Sequence, residues 1–264
     1  MNFLNFKDIK LGKEFKKNGY VIINVKKLDS LYYLQDKIIK STQLKVSKKK
    51  INKINFLNNF HKKIKIKNLN TTRLNIMKRI NNDKRFKYNI YDISKELLNS
   101  LVGNELVMQK RINLSIQFPN DKSSLLPVHS DTWSGLSPFE AVIWIPLVDC
   151  YKTKSMYILP PKENKKFLKT FSNFVNMDSE KIFSKIKKKV IWLNLKFGQI
   201  LIFNQQLPHG NIVNKENETR WSMNCRFKSI FSPYADKRIG EFYEPITIRP
   251  VSELGFNYKL PKLK

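Results

Sequence analysis

The segment Pro127-Val128-His129-Ser130-Asp131-Thr132-Trp133 carries the residues best suited to chemistry in this chain. His129 and Asp131 stand two apart, so on an extended backbone an imidazole and a carboxylate leave from one face and can take adjacent positions on one metal ion. Three histidines occur, His61, His129 and His209. His61 falls in a Lys- and Asn-rich stretch with helical spacing and is expected to face solvent. His209 follows the apolar run Ile200-Leu201-Ile202-Phe203 within Leu207-Pro208-His209-Gly210-Asn211, where a turn can aim it back at the first pair. Two histidines and a carboxylate form the facial set that leaves open positions on iron(II) for a co-substrate and oxygen. A bare His-x-Asp also arises as a hydrogen-bonded loop pair, and a lone histidine after a strand as an ordinary turn residue. Asp131 is expected at the mouth of the fold, contributing little to its core.

A second constellation lies beyond His209. Arg220 to Phe227 alternates, with Trp221, Met223, Cys225 and Phe227 on one face and Arg220, Ser222, Asn224 and Arg226 on the other. A half-exposed strand has the same pattern. Arg220 and Ser222 together would also offer a dicarboxylic co-substrate a guanidinium fork and a hydroxyl. The alternation from Glu105 to Phe118 puts Asn113 and Gln117 on a polar face, where they would touch a small molecule or serve as interior hydrogen bonds. Trp133 and Arg226 are candidates for the substrate side, with packing and ion pairing as their simpler roles.

These residues need elements to hold them. Period-two patterning predicts strands over 105–118, 139–148, 155–159, 190–195, 199–203 and 220–227, separated by Pro, Gly and Asn clusters. Gly19 to Val25 is a further β-rich patch, whereas 28–44, 57–80 and 92–101 have helical spacing, and 162–189 reads as a charged helical insertion. A helical N-terminal third followed by many short strands predicts an α+β fold, a sandwich or barrel with helices packed outside it. One domain is expected over 1–264: helical support in 1–104, the strand-rich core carrying the site in 105–230, and a C-terminal extension in 231–264.

A hydrophobic content of 41% excludes a disordered chain. No run approaches the ~20 apolar residues of a membrane span. The opening MNFLNFKDIK lacks a basic leader and long apolar run, and Cys150 and Cys225 form no C-x-x-C pair, so a reducing cytoplasm is expected. The net charge of +29 invites a nucleic-acid partner. Lys, Asn and Ile are enriched together, however, and Lys is scattered along the chain, as A/T-rich codon usage would produce.

The order His129-x-Asp131, distant His209, then Arg220-x-Ser222 resembles the iron(II)/2-oxoglutarate-dependent oxygenases. The runs Phe197-Gly198-Gln199-Ile200-Leu201-Ile202-Phe203 and Leu207-Pro208-His209-Gly210-Asn211 are most similar to the phytanoyl-CoA dioxygenase-like branch. The stretch His129 to Gly135 with Pro138-Phe139-Glu140 further resembles a subgroup associated with bacterial carbohydrate-biosynthesis genes. The resemblance covers roughly 105–230. It implies a double-stranded β-helix (jelly-roll, cupin-like) core, iron(II) on His129, Asp131 and His209, and 2-oxoglutarate and O2 as co-substrates. It also implies that Arg220 and Ser222 hold the far carboxylate and that Trp144 lies beside the co-substrate. A carboxylate at 131, where related halogenases have a small residue, points to hydroxylation of a small metabolite or sugar derivative. Two rival readings stand beside it. One is a nucleic-acid oxidative demethylase of the same superfamily, which the six-residue spacing of Arg220 and Arg226 suits. The other is a non-catalytic, basic RNA-binding protein on a cupin-like scaffold.

Overall fold

The computed structural model describes residues 3–44, 52–174 and 177–261. The chain runs α1 (Phe6–Asn18), β1 (Tyr20–Asn24), α2 (Leu28–Ser41), α3 (Lys53–Asn58), α4 (Leu69–Asn81), α5 (Lys84–Leu101), β2 (Leu106–Gln109), β3 (Asn113–Gln117), β4 (Glu140–Pro146) and β5 (Tyr157–Ile158). It continues through α6 (Pro161–Lys169), α7 (Ser179–Ile186), β6 (Ile191–Trp192), β7 (Gln199–Asn204), β8 (His209–Gly210), β9 (Arg220–Ser229), β10 (Tyr243–Thr247) and α8 (Pro250–Asn257). This is a mixed fold of helices and antiparallel sheet.

Side-chain caps start several helices where orphan N–H groups need acceptors. Asn5, Asn52, Asp83 and Asp178 each accept a backbone N–H three residues on. The helices then bury one stripe each: Leu31, Leu34, Ile38 and Ile39 on α2, and Phe86, Ile90, Ile93, Leu97 and Leu98 on α5. These side chains join the strand residues in one apolar core. Gln35 ties α2 to the sheet through a 2.9 Å bond to the Leu147 carbonyl. Among the described residues no helix is long and apolar enough to cross a membrane.

The larger sheet runs β1-β7-β4-β9-β2-β10, with β3 also on β9. The ten-residue β9 explains this branching: Arg220 to Asn224 pair with β3, Phe227 to Ser229 with β2, and Ser222 to Lys228 with β4 on the other side. A smaller sheet, β6-β5-β8, carries His209 at its edge, and the pair His129–His209 extends it.

The structure departs from the sequence expectations at definite points. The alternation over 105–118 is two strands, because the Ile112 N–H leaves the ladder and donates to Asn81 Oδ1 of α4 at 2.6 Å. The helical spacing over 57–80 is broken into α3, two short 3-10 turns and α4. The patches at 155–159 and 190–195 pair over only two residues each. The N-terminal third is not wholly outside the sheet, since β1 pairs with β7 from Tyr20–Phe203 to Asn24–Gln199. The C-terminal extension likewise supplies β10, paired with β2, and buries Tyr243 completely. His61 is half-buried, its Nδ1 lying 3.0 Å from Thr219 Oγ1 and its ring edge-on to Phe118.

Gly19 caps α1 with a positive φ of 81° and turns the chain into β1. A Cβ there would lie 2.1 Å from Leu207 Cδ1. Gly19→Ala therefore combines a disfavoured backbone with an overlap, and should cost about 2 kcal/mol or more. Urea denaturation checks this, with an unchanged midpoint the contrary result. Because Leu207 leads into His209, the same substitution bears on the site.

Candidate active site

His129, Asp131 and His209 converge on one end of a cavity of about 440 Å³. One ligand atom from each lies within 4.8 Å of the others, and among the described residues this is the one group of three or more His, Cys, Asp or Glu able to hold a metal ion. Ser130 is extended (φ −117°, ψ 137°), which sends its two neighbours to the same side. Its own hydroxyl turns the other way, to the carbonyls of Gln205 and Gln206, each at 3.1 Å. Reciprocal backbone bonds of 3.0 and 2.8 Å join His129 to His209, and their rings lie 4.3 Å apart. Gly210 permits this approach, for a Cβ there would meet the Leu126 carbonyl at 2.7 Å.

Both imidazoles are fixed in the same way. His129 Nδ1 donates to the Pro127 carbonyl and His209 Nδ1 to the Leu207 carbonyl, each at 2.8 Å. A carbonyl accepts only, so each Nδ1 carries the proton and each Nε2 is left with its lone pair for a metal. Burial pushes the pKa of His209 down to about 4, assisted by His129, so the ring is neutral at ordinary pH. Two imidazoles that each present Nε2 and a carboxylate suit a divalent first-row metal with open positions.

The carboxylate has a partner that the sequence reading did not assign to it. Arg226 Nη2 lies 2.7 Å from Asp131 Oδ2 in a nearly buried ion pair. Arg226 is held in turn by Gln205 Oε1 at 3.2 Å and Gln109 Oε1 at 3.1 Å. Gln205 Nε2 donates to Glu140 Oε2 at 2.8 Å. The guanidinium expected on the substrate side lines the cavity and also pairs with Asp131, leaving Oδ1, 3.7 Å from His129 Nε2, to face the other donors.

Arg220 is different. It is 2% exposed, and among the described residues it has no carboxylate partner. Its Nη2 donates to Ser115 Oγ at 2.7 Å and its Nη1 to the Ser155 carbonyl at 3.2 Å, while its Nε has no partner. Burial lowers its pKa to about 10, still protonated at neutral pH. A buried cation satisfied only by neutral acceptors, opening on a cavity, is a site for an anion.

The cavity brings Arg220, Ser222, Trp144 and Asn113 together with the triad. Asn113 donates to Asn224 Oδ1 at 3.0 Å. Gln117 does not line the cavity, because Ile212 O captures its Nε2 at 2.8 Å. Trp133 lies outside it too, on the turn after Asp131, 39% exposed and packed on Phe167 and Phe171. Sequence reasoning missed Ser115, Gln109, Gln205 and Arg73. Ser115 and Gln109 had a signal, since both share the face of Asn113 in the alternation over 105–118. Cys150 and Cys225 are free and buried, and burial pushes each thiol up to about 12.

No family model matches the chain, and a search of curated proteins returns no match. Solved structures do resemble it. The non-heme monooxygenase ThoJ, as its nickel complex, is 15% identical with a TM-score of 0.58, over 92% of this chain and 85% of that one. The non-heme alpha ketoglutarate dependent carbocyclase SnoK from nogalamycin biosynthesis is 11% identical with a TM-score of 0.54, over 93% and 97%. The epimerase SnoN, in complex with Fe3+, alpha ketoglutarate and nogalamycin RO, is 13% identical with a TM-score of 0.51, over 91% and 93%. At such identities the likeness is one of fold, and it extends over nearly the whole of each chain.

Proposed function

We propose that this chain is an iron(II)- and 2-oxoglutarate-dependent dioxygenase that hydroxylates a small molecule. The observation that carries the reading is the buried, acid-free guanidinium of Arg220, sharing one cavity with the His129–Asp131–His209 donor set. A metal site used only for structure needs no such anion hole beside it. The likeness in fold to alpha ketoglutarate dependent enzymes agrees with this. Within that fold, the two antiparallel sheets read as a double-stranded β-helix in a single domain, and the motif spacing favours the phytanoyl-CoA dioxygenase-like branch. The small cavity favours a small metabolite, sugar derivatives included, over a nucleic acid. Two free, buried thiols suit a reducing cytoplasm.

Bound iron(II) would supply the oxygen chemistry that side chains lack. The protein's own part is to bind, orient and exclude water. Nε2 of His129, Nε2 of His209 and Oδ1 of Asp131 would hold the metal, with Arg226 keeping the carboxylate in place. Arg220 would pair with the distal carboxylate of 2-oxoglutarate, Ser115 and the Ser155 carbonyl fixing the plane of its guanidinium. Ser222, buried beside it, offers a hydroxyl to the same carboxylate, and Trp144 and Met156 wall the cavity against water. Purified protein with iron(II), ascorbate and air should turn 2-oxoglutarate slowly into succinate even without its substrate, and an anaerobic control should not. Folded, iron-loaded protein that neither forms succinate nor binds 2-oxoglutarate would overturn the reading in favour of a binding protein.

A further inference from the structure

Charge in the cavity does not balance. Its lining holds three guanidiniums, of Arg73, Arg220 and Arg226, against the single carboxylate of Asp131. Arg226 is neutralised by Asp131. A divalent metal and the dicarboxylate co-substrate cancel each other, so two positive charges stay in excess when both are bound. One belongs to Arg220, already committed to the co-substrate. The other is Arg73.

Arg73 stands on α4, the helix that Asn81 pins to the start of β3 through bonds of 2.6 and 3.2 Å to Ile112. Its Nη2 donates to Asn70 Oδ1 at 2.7 Å, but its Nε is buried and has no partner. Among the described residues no carboxylate lies within ion-pair reach of it. Along the same wall of the cavity come Leu74 and Met77 from α4 and Leu126 from the segment leading to His129, with Leu74 and Leu126 about half exposed. An arginine held in place yet short of an acceptor, above an apolar wall, is a device for reading an oxyanion on an apolar body. A neutral sugar would leave the charge unanswered and meet leucines with hydroxyls. The net charge of +29 would draw such an anion in from a distance.

We propose that the prime substrate is a small, partly apolar oxyanion, a carboxylate or phosphate ester, whose anionic group is held by Arg73 while its body lies against Leu74, Met77 and Leu126. This rests on the oxygenase reading and gives α4 its role, as the wall that selects the substrate.

The test uses full-length protein loaded with nickel(II) in place of iron. Calorimetry first titrates 2-oxoglutarate, then octanoate, octyl phosphate and the neutral octanamide, into wild type, Arg73→Ala and Arg73→Lys, with thermal melts confirming that each variant is folded. One of the two anions should bind wild type, roughly ten- to a hundredfold more weakly in Arg73→Ala, and in between in Arg73→Lys. The stronger of the two tells carboxylate from phosphate, and octanamide should bind weakly and alike in all three proteins. Equal anion affinity in wild type and Arg73→Ala, octanamide matching the anions, or no binding by either anion overturns the proposal while 2-oxoglutarate binding leaves the oxygenase reading standing. An Arg73-dependent single-stranded oligonucleotide in place of the octyl anions overturns it in favour of nucleic acid. If 2-oxoglutarate itself does not bind, the oxygenase reading fails and takes this proposal with it.

Discussion

Asp131→Ala is expected to abolish metal uptake at micromolar iron(II), to stop succinate formation, and to destabilise the protein by about 2–4 kcal/mol. The first two losses follow from the ligand set, since two imidazoles alone hold a divalent metal poorly. The third follows from Arg226. With the carboxylate gone, a nearly buried guanidinium keeps only the amide oxygens of Gln109 and Gln205 as acceptors. This corrects the expectation, drawn from the sequence, that Asp131 contributes little to the fold: its residue is 4% exposed and paired inside. The two roles can be separated. Asp131→Ala with Arg226→Met removes the orphaned charge together with the ligand, so it should recover most of the stability and none of the metal binding. Urea denaturation and iron stoichiometry on the three variants decide the matter. Undiminished iron in Asp131→Ala would remove it from the metal site, and a double variant as unstable as the single one would show that the ion pair is not what Asp131 contributes.

That pair shows where legibility in the sequence stops. His129 and Asp131 could be read because their relation is local: two positions on an extended strand share a face whatever the rest of the chain does. Arg220 and Ser222 were legible for the same reason. The link from Arg226 to Asp131 spans 95 residues and depends on the register of β9 against β4, Arg226 opposite Val142, which no local pattern specifies. Gln109 ends β2 and Gln205 lies in the turn after β7, and neither carries a signature as a polar side chain near an arginine. The break between β2 and β3 was hidden because it arises from Asn81, a side chain on another element that captures one N–H of an otherwise regular alternation. Gln117 was misplaced although its period was read correctly. The strand face was right, but a carbonyl of the 212 segment reaches its amide before any ligand can. Edge strands β1 and β10 differ again: the first was legible as the patch Gly19 to Val25, the second was not, because Tyr243-Glu244-Pro245-Ile246-Thr247 includes a proline and a register shift.

Arg220→Met should separate function from stability most sharply. In the wild type the guanidinium is carried into the interior without a counter-charge, a cost visible in its pKa lowered to about 10 by burial. An apolar side chain of similar volume removes that cost, so the ligand-free variant should be as stable as wild type or more so, by up to about 2 kcal/mol. Ser115 Oγ and the Ser155 carbonyl each lose the donor they accept from, which opposes this gain in part. Binding should move the other way. A charged, two-pronged contact to a carboxylate is worth roughly 1.5–3 kcal/mol, so 2-oxoglutarate should bind the variant about ten- to a hundredfold more weakly. The two effects meet in a melting experiment: 2-oxoglutarate at about 100 times its dissociation constant stabilises wild type by about 2.7 kcal/mol. The variant should start at or above the wild-type melting temperature and gain only about 0.4–1.4 kcal/mol at the same concentration, about half of the wild-type gain or less, so the difference between the two curves shifts in favour of wild type as the co-substrate is added. A variant that melts lower without 2-oxoglutarate and is still raised by it as much as wild type would mean that Arg220 is a structural cation and that the anion site lies elsewhere in the cavity.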